Sequence, residues 1–189
     1  MEDFEKKYLN DARHGDHIAQ FILGGCYYKA QKYKEAVYWF TKAAKQCDAM
    51  AQNNLAVCYQ KGEGVVKSHS RAFSWFRKAA RQGIAAAQYI IYISYRDGNG
   101  VPKDKDEAVF WLREAAKQKF VKAQYNLACN YYFNEDDNKK DKDTALYWFE
   151  QAIENNVDGS LPEFALSNSK IFIDQLKEMG HSASRAKDI

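Results

Sequence analysis

An internal repeat of about 36 residues constrains this 189-residue chain more than any other feature. The pair Ala-Gln recurs four times at steps of 32, 36 and 36 residues, and a tyrosine follows each of these alanines after eight positions. A tryptophan recurs at steps of 36, 36 and 37 residues. The repeated positions are Ala19, Ala51, Ala87 and Ala123; Tyr27, Tyr59, Tyr95 and Tyr131; and Trp39, Trp75, Trp111 and Trp148. A period of this length is typical of repeat architectures built from one supersecondary element per unit.

Each unit contains two segments with helical spacing. The first places Ala, Leu or Ile, and Tyr at relative positions 0, +4 and +8, and the second places Ala, Trp, Phe or Leu, and Ala at 0, +3, +4 and +7. Each unit is therefore predicted to be a helix hairpin. Gly62-Glu63-Gly64-Val65 and Gly98-Asn99-Gly100-Val101 supply turns in the second and third units, because glycine adopts positive φ without steric cost. Asp104 is predicted to cap the helix that follows the second of these turns.

The pattern of the second unit, from Ala51 to Gly83, resembles the Sel1-like repeat family, which is related to the tetratricopeptide repeats. The resemblance covers roughly residues 7–158. The first unit lacks Gly-x-Gly-Val, and the fourth replaces it with a polar segment, residues 134–141, that is predicted to be a loop. The resemblance implies an all-α fold, a right-handed α-solenoid superhelix of about four helix hairpins with a concave face lined by the first helices.

The chain is predicted to be one solenoid domain over residues 1–180, because terminal elements must cover the open hydrophobic ends of such an array. The expected elements are an N-terminal half-repeat at 2–15, repeats at 19–48, 49–84, 85–120 and 121–158, a C-terminal capping helix at 162–179 and a flexible tail at 181–189. Whether the last helix caps the array or lies in its groove stays open, since Phe164, Ile171 and Phe172 could imitate a ligand.

Charge and cysteine usage favour a cytoplasmic protein. The formal net charge is +3, and the acidic N-terminus lacks the apolar segment of a signal peptide. No stretch approaches the length of a membrane span, so no membrane partner is expected. The cysteines have no close-paired spacing, which favours reduced thiols over a disulfide framework. They are Cys26, Cys47, Cys58 and Cys129.

Neither a metal site nor a catalytic centre is predicted. The histidines are scattered, and zinc needs three or four clustered ligands. No serine lies in a strand–turn–helix elbow, and no cysteine has a plausible nearby histidine. Gly-x-Gly-Val follows a helix and lacks the lysine of a phosphate-binding loop, so we expect no cofactor and no enzymatic activity. The histidines are His14, His17, His69 and His181.

The concave face is the informative surface. Taking the Leu or Ile of each first helix as origin, helical geometry and the resemblance place positions −2, +2, +5 and +6 towards the groove. These positions are Phe21, Gly25, Tyr28 and Lys29; Asn53, Val57, Gln60 and Lys61; Tyr89, Ile93, Arg96 and Asp97; and Tyr125, Cys129, Tyr132 and Phe133. The residue after the origin is small in three units and is Tyr92 in the third, so there either the helix pair opens or Tyr92 turns towards the groove.

Aromatic rings beside amides and cations are typical of protein-recognition surfaces. The predicted partner-binding residues are Phe21, Tyr28, Lys29, Asn53, Gln60, Lys61, Tyr89, Arg96, Tyr125, Tyr132 and Phe133. For any single ring, the alternative to binding a partner is packing between neighbouring first helices. The expected function is that of a protein-binding adaptor or inhibitor, one version being an immunity-type protein that holds a toxin or effector. Single-stranded RNA is a second class of ligand, against which the near-balanced charge argues.

Overall fold

The computed structural model describes residues 2–133 and 139–183, which form helices and no β-strand. The helices are α1 (Glu2–Arg13), α2 (His17–Lys29), α3 (Tyr33–Lys45), α4 (Ala49–Lys61), α5 (His69–Arg81), α6 (Ala85–Asp97), α7 (Lys105–Lys117), α8 (Val121–Tyr132), α9 (Lys139–Glu154) and α10 (Glu163–Glu178). The prediction of an all-α solenoid of helix hairpins is confirmed. Within the described ranges, no helix combines the length and the apolar character that crossing a bilayer requires.

The chain divides into two compact units, Met1–Ala108 and Val109–Ile189, here called unit 1 and unit 2. In unit 1, each helix from α1 to α6 packs against the next one along the chain. In unit 2, α8 packs against α9 and α9 against α10. Helix α7 begins in unit 1 and ends in unit 2.

Small residues let the two helices of a hairpin approach closely. In the first hairpin, Ala36 and Ala43 of α3 are fully buried, and the ring of Phe40 lies against Gly24 of α2. Trp39 is 7% exposed and packs with Leu23 of α2 in a second cluster of the core. The repeated alanines and aromatic residues therefore form the hydrophobic core, as their spacing predicts.

The Gly-x-Gly turn uses its two glycines for different reasons. Gly62 ends α4 in the left-handed conformation with φ 83°, which glycine adopts at little cost. At Gly64, a Cβ atom would collide with the main-chain oxygen of Tyr33 at the start of α3. In the next repeat, Gly100 has the same relation to His69 at the start of α5. The second glycine thus allows each turn to touch the preceding repeat.

Aspartates define several helix starts. The side chain of Asp48 accepts a hydrogen bond from the Ala51 amide at 2.8 Å, as expected of an N-cap. Asp104 accepts from the Asp106 and Glu107 amides, both at 3.0 Å, which confirms its predicted capping role.

The C-terminal part differs from the sequence analysis in two places. The predicted polar loop at 134–141 is wrong at its end, because α9 already includes residues 139–141; residues 134–138 lie outside the described part of the chain. The tail predicted to be flexible begins with packed residues, because His181 and Ser182 both hydrogen-bond to the buried carboxylate of Asp143. Residues 184–189 again lie outside the described part.

Helix α10 repeats the pattern of a first helix. Ala165, Ser169 and Ile173 occupy relative positions 0, +4 and +8, and all three are buried. The helix packs against α9, and its Phe172 ring lies 5.3 Å from the ring of Phe149 in α9. Phe172 also lies against the predicted groove residues Tyr132 and Phe133 of α8, at 4.4 and 5.7 Å between ring centroids.

Candidate functional site

Four of the eight predicted groove positions of α2 and α4 line one concavity in unit 1. Its volume is about 190 Å³. We call it the α2–α4 pocket; it is lined by Gly25, Tyr28, Lys29, Phe40, Asn54 and Val57. Three of these residues come from α2 and two from α4, the first helices of consecutive repeats. The helical register thus brings Gly25, Tyr28, Lys29 and Val57 together in space, whereas Phe40 and Asn54 were not predicted groove positions. The other predicted positions of these two helices do not line the pocket: Phe21, Asn53, Gln60 and Lys61.

Tyr28 belongs to a polar cluster that links the first two repeats. Its hydroxyl donates to Glu63 Oε2 at 2.6 Å and accepts from Lys61 Nζ at 3.1 Å. Lys61 Nζ also lies 3.7 Å from Glu63 Oε1. Burial, and then the hydrogen bond to Glu63, raise the pKa of Tyr28. Helical register does not include Glu63, because this residue lies in the turn after α4.

The rings of α2 also pack into the core of unit 1. The Tyr28 ring centroid lies 5.3 Å from that of Tyr33 and 6.4 Å from that of Phe40. Phe21 lies 6.3 Å from Phe40. Both α2 rings are half-buried, so they combine a packing role with an exposed edge.

Helix α6 carries a second cluster. Tyr89 is half-buried, with its ring 5.7 Å from that of Tyr92. Arg96 donates to the Tyr92 hydroxyl at 3.3 Å and to both Asp97 oxygens, at 2.8 and 2.9 Å. The bond to Asp97 is the main cause that raises the pKa of Arg96, and the same bond lowers the pKa of Asp97. Tyr92 is 9% exposed. Its hydroxyl reaches Arg96, a predicted groove residue, which favours a Tyr92 side chain that turns towards the groove over a helix pair that opens.

The polar groove positions Asn53 and Gln60 of α4 have different neighbours. Asn53 Nδ2 donates to Asn54 Oδ1 at 3.4 Å. Gln60 contributes to a smaller concavity of about 110 Å³, where Phe73 and Ile93 form part of the wall.

In unit 2 the predicted residues have a different environment. The ring of Tyr132 lies 4.4 Å from that of Phe172 in α10, and its hydroxyl donates to Gln175 Oε1 at 2.8 Å. Tyr125 is half-buried, 6.1 Å from Phe149, and burial is the first cause that raises its pKa. Phe133 is 65% exposed. The alternative of ring packing between first helices therefore applies to Tyr132.

Comparison with protein families and solved structures agrees with this geometry. The model of the Sel1 repeat matches residues 17–46, 49–84, 86–120 and 121–157. The chain belongs to the Sel1 repeat family. The matches include the first and fourth units, in which the Gly-x-Gly-Val turn is missing.

Several solved structures are similar to this Sel1 repeat chain. A Sel1 repeat protein from Oxalobacter formigenes is 34% identical with a TM-score of 0.69, and the alignment covers 82% of this chain and 61% of that one. A protective antigen of uropathogenic Escherichia coli, c5321, is 26% identical with a TM-score of 0.44 and coverages of 95% and 49%. A Sel1 repeat protein from Klebsiella pneumoniae is 20% identical with a TM-score of 0.51 and coverages of 90% and 98%.

The present chain thus spans about 61% and 49% of the lengths of the first two of these proteins. A search of curated protein sequences finds no match. Sel1 repeat proteins mediate protein–protein interactions, and their fold is a typical non-catalytic scaffold.

The described residues of this Sel1 repeat protein contain no group of three or more His, Cys, Asp or Glu side chains that could hold a metal ion. Three of the histidines hydrogen-bond at separate places: His14 with the main-chain oxygen of Asn10, His17 with Asp48, and His181 with Asp143. All four cysteines are free thiols. The first helices carry aromatic rings, amides and cations at their predicted groove positions.

Proposed function

We propose that this Sel1 repeat protein binds a partner protein on the first-helix face of unit 1 and acts by occupancy. This face comprises the predicted groove positions of three helices: Phe21, Gly25, Tyr28 and Lys29 of α2; Asn53, Val57, Gln60 and Lys61 of α4; and Tyr89, Ile93, Arg96 and Asp97 of α6. The observation that carries the proposal is the α2–α4 pocket, which opens between these positions on two consecutive repeats.

The polar clusters support the proposal because they hold side chains in place before a partner arrives. Tyr28 is fixed by Glu63 and Lys61, and Arg96 is fixed by Asp97 and Tyr92. Ordering a long side chain on binding costs roughly 0.5–1.5 kcal/mol. A face whose tyrosine and arginine are already ordered avoids part of that cost, and these residue types are enriched among binding hot spots.

Within unit 2, the predicted partner-binding residues are Tyr125, Tyr132 and Phe133, and we propose that Phe133 is the one that contacts a partner. Phe133 is 65% exposed, whereas the Tyr132 ring stacks against Phe172.

The proposed biological role is that of an adaptor or an inhibitor. One form of inhibitor is an immunity-type protein that neutralises a toxin or effector. The four free thiols suit a reducing compartment, so we place the protein in the cytoplasm.

Site-specific photo-crosslinking in the host cell tests which face is used. A benzoylphenylalanine at Lys61, on the first-helix face, is expected to crosslink a partner protein that mass spectrometry identifies. The same residue at Lys78, an exposed lysine of the second helix α5, is the matched control. A partner captured equally from both positions, or only from position 78, contradicts the proposal.

The affinity for the identified partner then tests the side chains. Calorimetry is expected to show binding weakened about 30-fold or more when Tyr89→Ala and Arg96→Ala are combined, since a single hot-spot residue contributes about 2 kcal/mol or more and about 1.4 kcal/mol is a factor of ten. Tyr38 and Lys42 form a matched pair on the second helix α3, where Lys42 Nζ lies 4.9 Å from the Tyr38 ring. Their double alanine variant is expected to bind like the wild type, and equal losses in both variants would rule out the first-helix face.

A further inference from the structure

Two adjacent glycines in α2 have different relations to their surroundings. A Cβ atom at Gly24 would lie 2.6 Å from Phe40 Cε1, so packing of the hairpin requires a glycine there. A Cβ atom at Gly25 would meet no atom within 4 Å. Gly25 lies inside a helix and does not have positive φ, so its backbone conformation suits any residue. Neither packing nor backbone geometry explains why position 25 is glycine.

The chain provides its own comparison for this position. The residues in the same register of the other three first helices are Val57, Ile93 and Cys129. Each of those helices accommodates a side chain there, although glycine is a poor helix former. The visible effect of Gly25 is on the α2–α4 pocket, because Gly25 lines it and leaves its space open.

The walls of the pocket indicate what it can hold. The rings of Phe40 and Tyr28 and the side chain of Val57 are apolar surfaces. The volume of about 190 Å³ exceeds the roughly 150 Å³ that suffices for benzene in an apolar cavity. A single aliphatic or aromatic side chain of a partner therefore fits.

The rim of the pocket carries one cation that is not neutralised. Lys29 lines the pocket and is exposed, and it forms no ion pair within the described part of the chain. The neighbouring cation Lys61 is balanced by Glu63 at 3.7 Å. A carboxylate beside the bound apolar side chain is thus attracted by Lys29, and the Asn54 amide adds a hydrogen-bonding group to the wall.

We infer that Gly25 opens a socket for one apolar side chain of a partner peptide segment, with an adjacent acidic residue bound by Lys29. This inference rests on the proposed function and specifies the chemistry of the ligand on the same face. Leucine, isoleucine, methionine and phenylalanine are the anchors that match the walls. The missing side chain at position 25 lets the backbone of that segment approach α2 closely.

A phage-displayed library of random twelve-residue peptides provides the probe. Peptides selected on the wild-type protein are expected to share an apolar residue with Asp or Glu within two positions. Synthetic copies should bind Gly25→Leu at least tenfold more weakly, because the new side chain fills the socket. Replacing the peptide's apolar residue by alanine should cause a similar loss on the wild type and little further loss on Gly25→Leu.

Folding of the variants is checked by circular dichroism and thermal unfolding. If Gly25→Leu does not fold, Val57→Met narrows the socket from α4 and serves the same purpose. Lys29→Glu should reverse the preference for the neighbouring peptide residue from acidic to basic, whereas Lys42→Glu on α3 should not change it.

Selected peptides that bind wild type and Gly25→Leu equally, or that share no apolar residue, overturn the inference. This result is distinct from a failure of the proposed function. If such peptides still lose affinity with Tyr89→Ala and Arg96→Ala, the face binds protein without using the socket. If selected peptides are insensitive to all of these variants, both proposals fail.

Discussion

Gln82 donates a hydrogen bond from Nε2 to Oε1 of Gln52 at 2.9 Å, and Gln52 in turn donates to the main-chain oxygen of Ala44 at 3.2 Å. Gln52 is the glutamine of an Ala-Gln pair and is 3% exposed. The same chain of bonds recurs from Gln46 through Gln20 to Ala12 and, in unit 2, from Asn155 through Gln124 to Ala116. Each such glutamine joins the ends of two successive second helices, which explains why Gln accompanies the repeated alanine.

Replacing this glutamine should destabilise the protein. Gln52→Ala removes two hydrogen bonds at a buried site, and at about 0.5–1.5 kcal/mol for each bond the expected loss is roughly 1–3 kcal/mol. Urea unfolding followed by circular dichroism measures it. Gln60→Ala, at a half-buried position on the first-helix face, is the control and should change the free energy of unfolding by less. A double variant with Gln82→Ala should lose less than the sum of the single losses, because the two side chains share a bond.

The two glycines of α2 should respond oppositely to the same substitution. Gly25→Ala is expected to stabilise the protein by about 0.5–1 kcal/mol, since its Cβ meets nothing and alanine is the better helix former. Gly24→Ala gains the same propensity but forces a methyl group against the Phe40 ring, which is 1% exposed. Overpacking of this kind costs about 1–3 kcal/mol. Thermal unfolding of both variants checks the signs, and a stabilised Gly24→Ala would contradict the packing argument.

The buried thiol of Cys58 should make stability fall at alkaline pH. Burial, with a smaller effect from Glu63, raises the pKa of Cys58 from about 9 to about 11. Between these values the unfolded chain has released the thiol proton and the folded chain retains it, so stability decreases as pH rises. At about 1.4 kcal/mol per unit, the total loss is at most roughly 2–3 kcal/mol.

Urea unfolding at pH 8 and pH 10.5 measures this effect against Cys58→Ala. The alanine variant is expected to be less stable at pH 8 but to lose about 2 kcal/mol less than the wild type between the two pH values. Other groups that titrate in this range are common to both proteins. Equal losses in the two proteins would show that the thiol of Cys58 ionises in the folded state as it does in the unfolded chain.

The segment after α10 should contribute to stability. Asp143 Oδ1 hydrogen-bonds with His181 Nδ1 at 3.0 Å and accepts from the Ser182 amide at 2.9 Å, and the side chains of Asp143 and His181 are 5% and 8% exposed. Hydrogen bonds to charged groups contribute about 1.5–3 kcal/mol. Asp143→Ala is therefore expected to lower the melting temperature clearly, and deletion of residues 181–189 to lower it as well.

Asp174→Ala provides the control for this substitution, because Asp174 is an exposed aspartate of the neighbouring helix α10. It should leave the melting temperature close to that of the wild type. A truncated protein that melts like the full chain would mean that the contacts of His181 and Ser182 contribute no net stability.

Helical register predicted part of the lining of the α2–α4 pocket. The positions counted from Leu23 and Leu55 include Gly25, Tyr28 and Val57, which line it, but not Phe40 or Asn54, which line it too. Register could not predict Glu63 as the partner of Tyr28, because the two residues are 35 positions apart and meet only when the turn after α4 reaches back to the first repeat. It also could not separate Tyr132, covered by α10, from the exposed Phe133 beside it.

The C-terminal region shows where local pattern gives insufficient information. Residues 139–141 are polar and were expected in a loop, but they begin α9, whose stability comes from the buried residues that follow, such as Ala145 and Phe149. His181 follows a helix-ending glycine and looks like the start of a tail, yet it is held by Asp143, 38 residues earlier. A local window of sequence shows neither the packing that stabilises α9 nor the contact between His181 and Asp143.

The repeat, the helix hairpins and the glycine turns could be predicted from the sequence, because each depends on spacing or backbone preferences within a few residues. The spacing of Ala51, Leu55 and Tyr59, for example, specifies one buried helical face without reference to any other part of the chain. Tertiary structure alone decided which side chains remain available to a partner. That outcome depends on distant neighbours: Phe172 covers Tyr132, whereas no atom fills the space beside Gly25.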